Sequence, residues 1–224
     1  MIVRRGTQLL AGAVLLVLAT VVTLLVTGGG ATGADAQQCA RFAYQSEIRE
    51  RLVTGHGQRV VVIGDSYSVG LGLRHPQTSW PSRLSGRVHV YGFSGSGFSA
   101  HASGCRKVSY AVRAPHALRG GADLVVVEGG LNDYDQPQSA VRNGFRALMS
   151  QLHGRRVLVV GPPPAPVRAD AARRVDTLLR QESARAGVRY LSMIGEHLPY
   201  LKDELHLTPA GHRAFGTVVA AALR

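Results

Sequence analysis

The sequence has few of the residues that most often mark a metal or nucleic-acid site. Cysteine occurs only twice, at Cys39 and Cys105, and without clustered histidines such a pair makes no zinc signature. Lysine occurs only at Lys107 and Lys202, so the formal charge of +12 comes mainly from arginine. The arginines are scattered, without a dense basic run or interleaved aromatic residues, which argues against nucleic acid. An arginine-rich solvated surface is the simpler interpretation, and association with a membrane or an anionic envelope surface is the alternative.

Nucleotide-binding signatures are also missing. The glycine-rich stretch 92–98 is not followed by the Lys-Ser/Thr of a phosphate-binding loop, and the chain has neither a dinucleotide glycine fingerprint nor an internal repeat. We therefore expect no cofactor and no metal. The 224 residues, 45% of them hydrophobic, are enough for one α/β domain with its own core and a short extra segment.

The N-terminal stretch has the layout of an export signal. Arg4 and Arg5 precede an uncharged apolar run over residues 9–26, and a small-x-small site follows at 34–36. The run is long for a signal and approaches the length of a bilayer span. We expect cleavage after Ala36, with an uncleaved membrane anchor as the alternative.

The two cysteines lie in the part of the chain predicted to be exported. In an oxidising compartment an isolated pair more often forms a bridge than stays free, so we expect a Cys39–Cys105 disulfide. Two unrelated buried thiols are the alternative.

Apolar patterning predicts five strands that alternate with helices. The strands fall at residues 60–63, 87–91, 123–128, 156–160 and 188–191. The helices fall at 40–52, at 69–73 with 78–84 as one broken helix, at 139–152 and 169–186, and from Thr208 onward. Because crossovers between parallel strands are right-handed, this order predicts a three-layer α/β/α sandwich of the flavodoxin-like type around a parallel sheet.

Two short polar motifs are candidates for chemistry. Ser66 lies in Gly64-Asp65-Ser66 directly after the first strand, at the sheet edge where open α/β folds place reactive groups. Asp203 precedes His206 by three residues, so its carboxylate can bond one ring nitrogen and leave the other as a base. Each motif alone is common, since Gly-Asp-Ser is an ordinary turn and most Asp-x-x-His histidines lie on surfaces.

Four segments in order resemble the SGNH superfamily, the GDSL-type esterases and lipases. They are Gly64-Asp65-Ser66, the turn that contains Gly95, Gly130-Leu131-Asn132-Asp133 and Asp203-Glu204-Leu205-His206. The resemblance implies a nucleophilic Ser66, a base His206 oriented by Asp203, and an oxyanion hole made by the N–H groups of Ser66 and Gly95 and the side chain of Asn132. Gly92 and Gly97 are alternatives to Gly95 in the same turn.

Two features depart from the family. The stretch before Ser66 matches no particular subfamily, and Glu128-Gly129-Gly130 stands where many relatives are more apolar. Neither removes a candidate catalytic group, and both leave the substrate open.

The resulting expectation is an exported serine hydrolase that cleaves carboxylic esters of small acyl groups, lipids or acetylated carbohydrate. An acyltransferase on envelope sugars or lipids, and a non-catalytic envelope-binding domain of the same fold, are the alternatives. The predicted division is a signal or anchor at 1–36, an exported segment at 37–58 and an SGNH-type domain at 59–224. The sequence predicts no oligomeric state.

Overall fold

The structure, a computed structural model, describes residues 35–224. The predicted export segment therefore lies outside the described residues, apart from its last two. Contacts divide the chain into two units, Met1–Arg41 and Phe42–Arg224. No helix within residues 35–224 has both the length and the apolar character needed to cross a bilayer.

A five-stranded parallel sheet forms the centre of the second unit. The strands are β1 (Arg59–Gly64), β2 (Arg87–Gly92), β3 (Leu124–Glu128), β4 (Val157–Val160) and β5 (Arg189–Leu191). Their order is β2-β1-β3-β4-β5, and every neighbouring pair is parallel. This confirms the predicted fold class, because 2-1-3-4-5 is the flavodoxin-like order, in which the strand order reverses between β1 and β3.

Six α-helices connect or flank the strands in the described residues. They are α1 (residues 35–51), α2 (Ser66–Val69), α3 (Tyr110–Ala117), α4 (Gln138–Gln151), α5 (Ala169–Arg185) and α6 (Pro209–Ala222). Short 3₁₀ turns occur at Pro76–Thr78, Trp80–Arg83, Leu131–Asp133 and Pro166–Arg168. As predicted, α6 begins with a Thr208 cap that accepts the Gly211 N–H, followed by proline at the first helical position.

Each face of the sheet has its own apolar core. Val60 and Val62 of β1 point into a cluster that includes Phe215 of α6. Val61 and Ile63 point the other way, into a cluster that includes residues of α3, α4 and α5. Burial of a side chain of this size contributes about 1.5–3 kcal/mol, so the two clusters fix the sheet between two helical layers.

Helix α3 is the main element that the sequence did not predict. It has eight residues with Pro115 inside it. A proline inside a helix removes one backbone hydrogen bond, so in a sequence it usually indicates a helix end. For this reason the sequence did not predict a helix through Pro115. In the proline-rich segment after β4, Pro166 is the first residue of a 3₁₀ turn.

Both cysteines of the chain are disulfide-bonded, and neither Cys39 nor Cys105 is free. The predicted disulfide is therefore present in the structure.

Candidate active site

Ser66 lies at the carboxyl edge of the sheet, beside the point where the strand order reverses. It is the first residue of α2, directly after β1, and Asp65 caps that helix by accepting the Tyr67 N–H at 2.9 Å. The side chain of Ser66 makes no hydrogen bond to any residue within 35–224, and the residue remains 6% exposed. Its hydroxyl is therefore available to a ligand at this edge.

The nearby serines have different surroundings. The Oγ of Ser68 donates to Glu128 Oε2 at 2.6 Å, and the residue is fully buried. The Oγ of Ser96 donates to the carbonyl of Phe93 at 2.7 Å and is also buried. Both hydroxyls are thus held by internal acceptors.

Asp203 and His206 occupy a loop between β5 and α6 that is fixed by its own hydrogen bonds. Oδ1 of Asp203 accepts the N–H groups of Leu205 and His206 at 3.0 and 2.9 Å, and Oδ2 contacts Nδ1 of the His206 ring at 2.7 Å. Partial burial disfavours the ionised carboxylate, but these hydrogen bonds outweigh it and lower the pKa of Asp203 to about 2. Because an ionised carboxylate only accepts, Nδ1 carries the hydrogen of this contact, and Nε2 is the ring nitrogen that Asp203 leaves free.

Tyr67 brings this loop to the nucleophile candidate. Its hydroxyl donates to the carbonyl of Leu205, and its ring centroid lies 6.5 Å from that of His206. The side chain of Tyr67, in the first turn of α2, therefore packs against the loop that carries His206. The sequence separation of 138 residues between Tyr67 and Leu205 leaves no local signal for this contact.

The turn after β2 places Gly95 at a position that needs glycine. Ser96 N–H donates to the Phe93 carbonyl at 3.1 Å, and Gly95 has a φ of +80°, as the third residue of a type II turn requires. The N–H of Gly95 has no acceptor within residues 35–224. Gly92 instead belongs to the β2 ladder, and a Cβ on Gly97 would lie 2.5 Å from Asp133.

Asn132 reaches the same turn from the end of β3. Its Nδ2 donates to the Ser96 carbonyl at 2.9 Å and to Asp65 Oδ2 at 3.2 Å. Full burial raises the pKa of Asp65 to about 6, although the Tyr67 N–H and neighbouring basic side chains act in the opposite direction. The side chain of Asn132 therefore joins the segment after β1 to the turn after β2.

Two arginines hold this edge of the sheet and were not predicted. Arg113 of α3 donates from Nη2 to the Gly64 carbonyl and to Ser96 Oγ, both at 2.9 Å. Arg168 donates from Nη1 to Asn132 Oδ1 and to the Leu131 carbonyl, both at 3.0 Å. Arg168 follows β4, so the carboxyl-edge rule that indicated Ser66 could also have indicated its segment.

Glu128, one of the departures from the family, lies buried at the end of β3 and accepts the Ser68 hydroxyl. Burial raises its pKa well above the usual range, and the nearby carboxylate of Asp65 acts in the same direction. Among residues 35–224 no group of three His, Cys, Asp or Glu side chains is placed to hold a metal ion.

Solved structures with the same fold include several esterases. Est24, a carbohydrate acetylesterase from Sinorhizobium meliloti, is 18% identical with a TM-score of 0.63, over 75% of this chain and 98% of that one. An Agrobacterium tumefaciens protein proposed to be an arylesterase is 25% identical with a TM-score of 0.64, over 75% and 99% of the two chains. The M. smegmatis aryl esterase in an inhibitor-bound form is 18% identical with a TM-score of 0.64, over 75% and 99%. No curated protein matches the chain.

The parallel sheet and its strand order fit the SGNH class of α/β hydrolases, and the family match places the protein in that class. The chain belongs to the GDSL-like lipase/acylhydrolase family, whose sequence profile matches residues 62–214. It is an esterase, and its substrate is a small-molecule ester.

Proposed function

We propose that the protein is an exported serine esterase that uses Ser66 as nucleophile, His206 as base and Asp203 as the residue that orients the base. The observation that supports this proposal is a Ser66 hydroxyl without a hydrogen-bond partner within residues 35–224, followed in the chain by Tyr67, whose ring lies 6.5 Å from that of His206. The Nδ1 of His206 in turn contacts the Asp203 carboxylate at 2.7 Å. A neutral serine is a weak nucleophile, so His206 Nε2 takes its proton during attack on the ester carbonyl.

The tetrahedral intermediate places a negative charge on the former carbonyl oxygen. The N–H groups of Ser66 and Gly95 and the amide of Asn132 are the proposed donors to it. In the structure the Asn132 amide is shared between the Ser96 carbonyl and Asp65 Oδ2, and the contact to Asp65 is the longer one. The oxyanion takes the place of this longer contact. His206 then returns the proton to the leaving alcohol, and water releases the acyl group by the same route.

Substitutions test these roles separately. Ser66→Ala and His206→Ala should each nearly abolish ester turnover, and the double variant should be no worse, because the two groups act as a unit. Asn132→Ala should lower kcat roughly 10²–10³-fold with little change in KM.

Asp203→Asn should also lower ester turnover strongly, since an amide favours the wrong tautomer of His206. A serine-directed phosphonate ester should label Ser66 alone; full activity in Ser66→Ala, or a label at Ser68 or Ser96, contradicts the assignment.

For the substrate we propose a carboxylic ester with a short acyl group on a carbohydrate or small alcohol. The names of the structural neighbours, a carbohydrate acetylesterase and aryl esterases, support this choice. A panel of esters graded by acyl length tests it, with preference for acetyl over long acyl groups as the expected result. Product analysis with an added sugar or glycerol acceptor distinguishes hydrolysis from acyl transfer, and preference for long acyl groups contradicts the short-acyl proposal.

We also propose that the protein is exported. The charged and apolar N-terminal pattern supports this, and so does the disulfide, because disulfides persist in oxidising compartments. N-terminal sequencing of the envelope and culture fractions should find a chain that starts near Gln37, or a tethered chain if the apolar run is an anchor. A cytoplasmic protein with Met1 intact contradicts export.

A further inference from the structure

Arg168 contacts the amide oxygen of Asn132, the side chain proposed as an oxyanion donor. Its Nη1 donates to Asn132 Oδ1 at 3.0 Å and to the Leu131 carbonyl at 3.0 Å. Its guanidinium carbon lies 4.1 Å from the centre of the Tyr134 ring, a cation–π distance. The guanidinium is thus fixed at several points by residues of one segment, the one that directly follows β3.

The contact from Arg168 favours one of the two orientations of the Asn132 amide, the same one that the Ser96 carbonyl and Asp65 Oδ2 favour from the nitrogen side. An asparagine amide has nearly the same shape after a 180° flip, so only its hydrogen-bond partners distinguish the oxygen from the nitrogen. Arg168 can only donate, and it therefore selects Oδ1. The Nδ2 group is consequently directed to the Ser96 carbonyl and Asp65 Oδ2, on the side of the proposed oxyanion. A flipped amide would present an oxygen to two acceptors and to the developing negative charge.

The segment that follows β4 positions Arg168 next to Asn132. The prolines at 162–164 and 166 limit the backbone freedom of this segment, and the Arg168 N–H closes the turn on the Ala165 carbonyl at 2.8 Å. The neighbouring Val167 N–H lies 3.5 Å from the carbonyl of Glu204, in the loop that carries Asp203 and His206. The segment therefore contacts both the loop of the proposed base and the side chain of the proposed oxyanion donor.

We propose that Arg168 is a positioning residue for the oxyanion hole, which acts on turnover by holding the amide of Asn132 in the orientation that donates. The proposal rests on the proposed function, since it assigns Asn132 the same role. Arg168 acts through Asn132 and not on the substrate directly. Its removal should therefore lower kcat, leave KM nearly unchanged and have no effect once Asn132 has been removed.

A double-mutant cycle on a small neutral aryl acetate tests this. Arg168→Met should lower kcat about 10-fold or more, but no further than Asn132→Ala, whose expected loss is roughly 10²–10³-fold. In the Asn132→Ala background the same substitution should cost less than about twofold. Arg168→Lys should recover part of the loss, because an ammonium group still donates to Oδ1.

Arg174→Met is the matched control. Arg174 lies on the exposed side of α5, and its side chain has no hydrogen bond or ion pair to residues 35–224. This variant removes the same charge from the first half of the helix that directly follows Arg168, and its kcat should equal that of the wild type. Tyr134→Leu is a second test if Arg168→Met folds poorly: it removes the ring under the guanidinium and should lower kcat in the same direction by a smaller factor.

An unchanged kcat in Arg168→Met, or an equal loss in the presence and absence of Asn132, would overturn the proposal. The second result would mean that Arg168 acts on the substrate or on the whole fold. Phosphonate labelling of Ser66 separates this failure from failure of the proposed function. If Ser66 is labelled and required while the cycle is additive, only the role of Arg168 is wrong.

Discussion

At the scale of the residue, hydrogen-bond partners separate three serines that look alike in the sequence. Ser66 has an accessible hydroxyl, whereas the hydroxyls of Ser68 and Ser96 already donate to internal acceptors. A donor held by a buried acceptor must break that bond before it can react, which costs about 1–3 kcal/mol if the acceptor stays unsatisfied. The choice of nucleophile is therefore a property of the neighbours as much as of the Gly-Asp-Ser motif.

Glu128 should make stability depend on pH. Because burial raises its pKa in the folded state, the group stabilises the fold fully below its unfolded pKa of about 4.3, and this contribution is lost as pH rises towards the folded value. Glu128→Gln keeps an acceptor for Ser68 and cannot ionise. Urea denaturation at pH 5, 7 and 9 should therefore show the Gln variant gaining stability relative to the wild type as pH rises.

Glu128→Ala is the control for the hydrogen bond itself. It leaves the Ser68 hydroxyl without this acceptor, and should cost about 1–3 kcal/mol in the free energy of unfolding relative to Glu128→Gln at every pH, since neither variant ionises at this position. A constant difference between the wild type and the Gln variant from pH 5 to 9 would mean that Glu128 does not change its protonation on folding.

At the scale of the element, the hydrophobic pattern of the sequence predicted the strands, because their positions depend mainly on which residues pack in the core. Every observed strand lies within one residue of its predicted ends. Strands β1, β3 and β4 bury continuous apolar runs between two helical layers, and β2 shows the period of two expected of a strand. Helix α3 was missed because Pro115 interrupts its pattern. Because α3 was not predicted, the role of Arg113 was not predicted either. Its guanidinium donates to both the Gly64 carbonyl and the Ser96 hydroxyl.

A side chain at Gly95, in the turn at residues 93–96, should be disfavoured by the backbone conformation there and not by lack of space for a Cβ atom. An added Cβ at Gly95 would meet its nearest atom only at 3.7 Å, but the φ of +80° disfavours any other residue by about 1–2 kcal/mol. Gly95→Ala should let the turn relax and redirect the N–H proposed to face the oxyanion. We expect kcat to fall at least 10-fold with little change in KM, as measured on the same aryl acetate.

Gly154→Ala provides a matched control for this prediction. Gly154 has a φ of +75° and open space around its Cβ position, and it precedes β4 at the opposite edge of the sheet. The two variants should lose similar thermal stability, while only Gly95→Ala should lose turnover. Equal kcat values in both variants would mean that the N–H of Gly95 takes no part in catalysis.

At the scale of the whole molecule, the parallel sheet explains why distant motifs could be assigned to one site. All carboxyl ends of parallel strands face one side, so the segments that follow β1, β2 and β3 meet there whatever their separation in the chain. The contacts between these segments could not be predicted in the same way. The bond from Arg168 to Asn132 and the bond from Tyr67 to Leu205 depend on side-chain paths across loops, and no periodic pattern records them.

The disulfide should stabilise the whole chain mainly by restricting its unfolded state. The bond between Cys39 and Cys105 closes a long loop, for which the loop-entropy relation gives about 4 kcal/mol as an upper value. Reduction, verified by titration of two thiols, should therefore lower the melting temperature clearly. Because neither cysteine is among the proposed catalytic groups, reduced protein well below its melting temperature should keep its kcat. The Cys39→Ser/Cys105→Ser variant should match the reduced protein in both measurements, and a melting temperature that reduction leaves unchanged would contradict the prediction.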